Sequence, residues 1–351
     1  MSDRIESAPA EFTPSESDYV PEPHPEGMVE RVSGEKRFLV IHGIWSQGAS
    51  NNASAAAVRD TTLGDGTGRF PDYIRQSTGG HLRVVGDFVG DLDLGARPAS
   101  CDHSDQLANA RRLAQQAGYD YREYDYTFFA KPYSSACNWG GLAAMPGNWS
   151  IANGNGGSLS VWTHEFGHNL GFAHIRERID CPMQDEVVDV DGCTSKGSGG
   201  DTGDTMGAGG TARYPTIYRS FHGWWNGQES VKITRTGTYQ LRALGTSGVQ
   251  ELLLPVAGGD VSLEYRRHNP QYETRDPMYF EGISMRQPRV SGRVITNEII
   301  DGSPHIAGLH KVLQLGRSAE FRASGLMVKT CALTESHAEV AVAFQGDPLP
   351  N

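Results

Sequence analysis

Residues 164–174 read His164-Glu165-Phe166-Gly167-His168-Asn169-Leu170-Gly171-Phe172-Ala173-His174. Two histidines four positions apart on a helix share one face, one turn above the other, so both imidazoles can reach a single ion. Glu165 lies about 100° round the helix from His164, beside the open side of such an ion, where a carboxylate can take a proton from water. In an unbroken helix His174 would stand about 15 Å along the axis from His164 and could not join them. Gly171 resolves this, because a residue free to adopt positive φ ends the helix after Leu170 and turns the chain back. Three imidazoles and an open fourth position make a catalytic Zn2+ site, with Glu165 as general base and not as a ligand. With 12 His and 43 Gly in 351 residues, this spacing arises by chance with odds on the order of one in ten thousand, which sets aside a merely His-rich helix end.

Ser158 or Ser160 can cap the motif helix, whose apolar side is Val161, Trp162, Phe166 and Leu170. Upstream, Phe38-Leu39-Val40-Ile41 and Leu82–Val89 read as strands, with a loop and a short helical piece at Phe70–Gln76 between them. Ser104 reads as the N-cap of a helix over Asp105–Ala117, closed by Gly118. Tyr126–Ala130 reads as a strand, followed by a Gly- and Trp-rich loop through Trp139 and Trp149. After about residue 228 short strand-like pieces dominate: Val231–Ile233, Thr238–Arg242, Val261–Tyr265, Leu326–Val328 and Val340–Phe344.

The fold class expected is α+β, a catalytic domain of twisted mixed sheet plus active-site helix followed by a β-sandwich-like C-terminal domain. The boundaries expected are 1–36 for a flexible Pro- and Glu-rich leader, 37–228 for the catalytic domain and 229–351 for the β-rich domain. A formal net charge of −11 and the lack of any Lys/Arg run argue against a nucleic-acid partner. No stretch of about 18 apolar residues could span a bilayer, and the leader lacks the apolar core of a signal peptide.

Metzincin metallopeptidases carry a tight turn with a Met beneath the metal, and Gly203-Asp204-Thr205-Met206-Gly207 resembles that turn, with Met206 as its Met. Together with the zinc motif it resembles the metzincin metallopeptidases, and within them the gametolysin-like peptidases, over roughly residues 37 to 345. The further points of similarity are Gly79-Gly80-His81-Leu82, the 104–131 helix–strand unit, Trp139-Gly140-Gly141 and Leu263-Glu264-Tyr265-Arg266. The resemblance implies a secreted zinc endopeptidase acting on protein or glycoprotein substrates, with a metzincin fold and a β-rich C-terminal domain. Many metzincins carry a Tyr two residues after the Met; Ala208 stands there in this chain, so Tyr214 and Tyr218 become the candidate oxyanion donors.

Of five cysteines, Cys181 and Cys193 flank a short loop and Cys101 and Cys137 flank one helix–strand unit. Two local disulfides follow, with five reduced thiols as the competing state. Asp185, Asp189, Asp191, Asp201 and Asp204 crowd the loops after the zinc motif and are candidates for Ca2+, although no EF-hand spacing is present and a solvated acidic loop is the better reading. Two rivals to the peptidase are a catalytically silent zinc-bearing binding or adhesion module and an amide hydrolase acting on a non-protein substrate. The intact Glu165 counts against the first.

Overall fold

The computed structural model describes residues 19–21, 31–46, 53–197, 200–273, 280–306 and 311–350. Cα proximity divides the chain into two units, one holding Val32–Phe172 with the strand Tyr19–Pro21, the other holding Ala173–Asn351. The division falls within the span assigned above to the catalytic domain. Most of the leader lies outside the described residues.

The first unit runs β1 (Tyr19–Pro21), β2 (Gly34–Ile44), α1 (Ala55–Leu63), α2 (Phe70–Ser77), β3 (Leu82–Asp93), α3 (His103–Gln116), β4 (Tyr126–Lys131), β5 (Gly141–Met145), β6 (Trp149–Asn153) and α4 (Leu159–Asn169). Its six strands are ordered β1-β5-β6-β4-β2-β3. β2, β3, β4 and β6 are mutually parallel, β5 is antiparallel to β6, and β1 pairs in parallel with β5.

Phe38–Ile41 is uninterrupted by polar residues because β2 is covered on both faces. Leu39 and Ile41 join Leu107, Ala110 and Ala114 of α3 in one buried cluster. Phe38 faces the other way, against Phe70 of α2, Phe128 of β4 and Phe166 of α4, at ring separations of 5.7, 5.0 and 5.4 Å. Each such aromatic pair contributes about 0.5–1.5 kcal/mol beyond its area burial.

Three local expectations are corrected. The N-cap of α3 is Asp102, whose side chain accepts from the Asp105 amide, and not Ser104; both residue types suit the role, and the carboxylate two positions earlier takes it. α1 occupies part of the stretch read as loop before Phe70. The Gly- and Trp-rich segment contains β5 and β6, both fully buried.

The second unit runs β7 (Arg176–Ile179), β8 (Met183–Gln184), β9 (Val187–Asp189), β10 (Thr194–Gly197), α5 (Thr216–His222), β11 (Ser230–Lys232), β12 (Gly237–Arg242), β13 (Glu251–Leu254), β14 (Val261–Tyr265), β15 (Gly282–Ser291), β16 (Val294–Ile300), β17 (Leu313–Gln314), β18 (Ser318–Phe321), β19 (Leu326–Leu333) and β20 (His337–Phe344). An eight-stranded sheet is ordered β10-β7-β16-β15-β14-β13-β11, with β17 on β15, and a six-stranded sheet β12-β20-β19-β18-β9-β8. One buried cluster takes Leu252, Leu263, Ile283 and Met285 from the first sheet and Val188, Leu241, Val328 and Val340 from the second. β7 pairs in parallel with β16, and β9 with β18, so the segment just after the histidine motif is built into the C-terminal sheets. The class is mixed α+β. Among the described residues no helix is long and apolar enough to cross a membrane.

Candidate metal centre

α4 presents two faces of opposite character. Trp162 and Phe166, one turn apart, dock on the sheet, with Trp162 stacked at 4.7 Å on Phe128 and Phe166 edge-on at 5.0 Å to Tyr126. His164 and His168 lie about 200° round the helix from Trp162 and Phe166, so docking the aromatic face turns both imidazoles the other way. Their rings meet edge to face at 4.8 Å, and both residues are buried. Ser158 stands at the N-cap, its hydroxyl directed to Ser160 and not to the helix amides.

The helix ends as expected, and the geometry of its end explains how. Gly171 has φ +89°, its amide donates to the His168 carbonyl at 2.8 Å, and the Phe172 amide donates to the Gly167 carbonyl at 2.9 Å. These are the two hydrogen bonds of a Schellman cap, which needs a left-handed residue where Gly171 stands. The Phe172 carbonyl thereby comes to lie beside the His168 ring and accepts from Nδ1 at 2.8 Å. A carbonyl can only accept, so Nδ1 carries the proton and Nε2 keeps its lone pair for a metal.

Beyond the turn, the Ala173 amide donates to Ile295 and the Ile175 amide to Met206, holding the backbone on each side of His174. The ligand nitrogens of His164, His168 and His174 all lie within 4.8 Å of one another, which makes the three a candidate metal-binding triad. Three imidazoles, one with its tautomer set by a carbonyl, are a donor set for a transition-metal ion such as Zn, Cu, Fe or Ni. Glu165 is fully buried. A Cβ on Gly141 of β5 would stand 2.7 Å from its Cδ and 2.9 Å from its Cγ, so only glycine lets this strand approach the carboxylate so closely.

Met206 is buried in a turn organised by Asp204. Asp204 Oδ1 accepts from the Met206 amide at 2.9 Å, and its backbone carbonyl accepts from the amides of Gly207 and Gly209 at 3.0 Å each. Its other oxygen accepts from Tyr218 Oη at 3.0 Å and Asn297 Nδ2 at 2.7 Å. Burial, reinforced by Asp201, raises the Asp204 pKa, and burial and then Asp204 push the Tyr218 phenol well above its usual value. The Tyr218 hydroxyl is thus given to Asp204, and Tyr214 packs edge-on to Tyr218, both rings fully buried.

Among the described residues, the acids weighed for Ca2+ are not gathered into one metal-capable group. Asp201 is buried and paired with Arg286, Asp189 pairs with Arg322 at 3.1 Å, and Asp191 accepts from the Ala323 amide. Asp201 and Asp204 are core residues and not solvated loop acids. Among the described residues the histidine triad is the one metal-capable group of three or more.

Asn169 was not singled out from the sequence. Its Nδ2 donates to the carbonyls of Ala144 and Trp149, both at 2.9 Å, and its Oδ1 accepts from Ser150, bolting α4 to β5 and β6 next to His168. A polar residue amid the helix's apolar positions was the available signal. Cys101–Cys137 and Cys181–Cys193 are disulfide-bonded, and Cys331 is free. No protein-family model matches the chain, and no curated protein is similar to it at a significant level.

Proposed function

We propose that this protein is a secreted zinc-dependent endopeptidase of the metzincin type. The observation that carries the reading is the approach of three imidazole nitrogens to within 4.8 Å, next to a buried carboxylate one residue from the first of them. Zinc held by His164, His168 and His174 would lower the pKa of a coordinated water to about 7 and polarise a substrate carbonyl. Glu165 receives the proton of the attacking water and returns it to the leaving amine. Imidazole ligands carry no negative charge, so an ion held by these three residues would keep its full double charge for a developing oxyanion. Met206, held by Asp204, supports the site by packing, since a buried thioether fills space without ligating. Two disulfides support an oxidising compartment.

The test is metal analysis of the purified protein with a casein or gelatin digestion, using Glu165→Ala and a chelator as controls. One zinc per chain and cleavage abolished by both controls is the expected result. Bound zinc with no cleavage of any protein would transfer the assignment to a silent binding module or to an amide hydrolase of a non-protein substrate, which profiling on non-peptide amides separates.

A further inference from the structure

Asn153, at the end of β6, is fully buried, and every hydrogen-bonding position of its side chain is used. Its Oδ1 accepts from Lys131 Nζ at 2.6 Å and from the Ser134 amide at 2.9 Å. Its Nδ2 donates to the carbonyls of Ser134 at 3.1 Å and Trp139 at 3.0 Å, and its backbone amide donates to Gly140 at 2.9 Å. One side chain and its own amide therefore hold both ends of the segment that leads into β5. The next residue along, Gly141, is the one whose Cα walls the Glu165 carboxylate. Its register partner is Ala152, Asn153's neighbour.

We infer that Asn153 is a positioning residue for Glu165, holding residues 134–140 so that Gly141 confines the carboxylate to one place. This rests on the proposed peptidase reading. It assigns Asn153 no contact with substrate or metal. An asparagine suits the position because two carbonyls and two donors converge on it, which only an amide can satisfy together. A carbon side chain would leave them unpaired inside the protein.

The experiment compares Asn153→Ala and Asn153→Asp with the unaltered protein by amide hydrogen exchange at residues 134–142 and 153, zinc content, and kcat and KM on a quenched-fluorescent casein peptide. Asn153→Ala should keep stoichiometric zinc, lose exchange protection at the backbone amides of Ser134 and residue 153, which donate to Asn153 Oδ1 and to the Gly140 carbonyl, and lose roughly 10- to 100-fold in kcat with KM changed by less than about twofold, as small misplacements of a reacting group do. Asn153→Asp retains the acceptor for Lys131 and Ser134 but not the donors, and should fall between; it carries the test if Asn153→Ala does not fold. Unchanged exchange, unchanged kcat in a folded variant, or a change confined to KM overturns the inference. If the unaltered protein binds zinc and cleaves nothing, the peptidase reading fails by itself, and the exchange data still decide whether Asn153 holds the segment.

Discussion

His168 Nδ1 donates to the carbonyl of Phe172 at 2.8 Å, across the turn made by Gly171. The same cap that reverses the chain toward His174 therefore sets the tautomer of His168 and aims its Nε2. Orientation of the His168 ring and helix termination are one structural event, since the carbonyl is in place only because the Phe172 amide bonds back to Gly167.

Gly171→Ala is expected to weaken zinc binding by at least tenfold. A side chain at φ +89° costs roughly 1–2 kcal/mol, and any relaxation toward negative φ withdraws both the Phe172 carbonyl and His174. Chelator competition measures the effect. Unchanged zinc affinity with a lowered Tm would show that the cap serves stability alone.

What the sequence made legible were patterns complete within a short window. The histidine spacing is local, and Phe38–Ile41 declares its burial because both faces of the strand are covered. β5, Gly141-Leu142-Ala143-Ala144-Met145, is composed of poor strand formers; it is extended because it pairs with β6, and it is small because Glu165 and Asn169 press against it. Asp204 reads as a surface acid because its partners Tyr218 and Asn297 lie 14 and 93 positions away, and Arg286, partner of Asp201, lies 85 away. Buried charge is decided by long-range pairing, which residue type does not carry.

The two disulfides give a direct mass test. Without reductant, alkylation under denaturing conditions should label Cys331 alone; with reductant, all five cysteines. Replacing Cys101 and Cys137 by Ser opens a 36-residue separation, and on the chain-entropy account lowers stability by about 3–4 kcal/mol, read as a shift in urea midpoint. Labelling of more than one cysteine before reduction would remove the support for an oxidising compartment.

Lys131 gives the protein a pH dependence above neutrality. Burial, and then the charge of Arg97, push its ammonium down to about 7 from the ordinary 10.5. Between those values the unfolded chain holds a proton that the folded protein has released, so stability rises with pH across the window, by at most about 1.4 kcal/mol per pH unit. Urea unfolding at pH 7, 8 and 9 should show the rise in the unaltered protein and its loss in Lys131→Met. A slope of the same size in both would assign it to other groups.

Met206 and Asp204 should separate cleanly. Met206→Leu keeps an apolar side chain of similar volume in the same buried place and should retain one zinc per chain, with a stability change below about 1.5 kcal/mol. Asp204→Ala removes the acceptor of the Met206 amide, the Tyr218 hydroxyl and Asn297 Nδ2 together, each buried donor costing about 1–3 kcal/mol when left unmade. Because the Met206 carbonyl accepts from the Ile175 amide, the residue after His174, loosening the turn should reach the metal ligand, and zinc affinity should fall with stability. Zinc titration and thermal unfolding of both variants decide it. Loss of zinc in Met206→Leu would make the thioether more than packing, while full zinc affinity in a folded Asp204→Ala would disconnect the turn from the histidines.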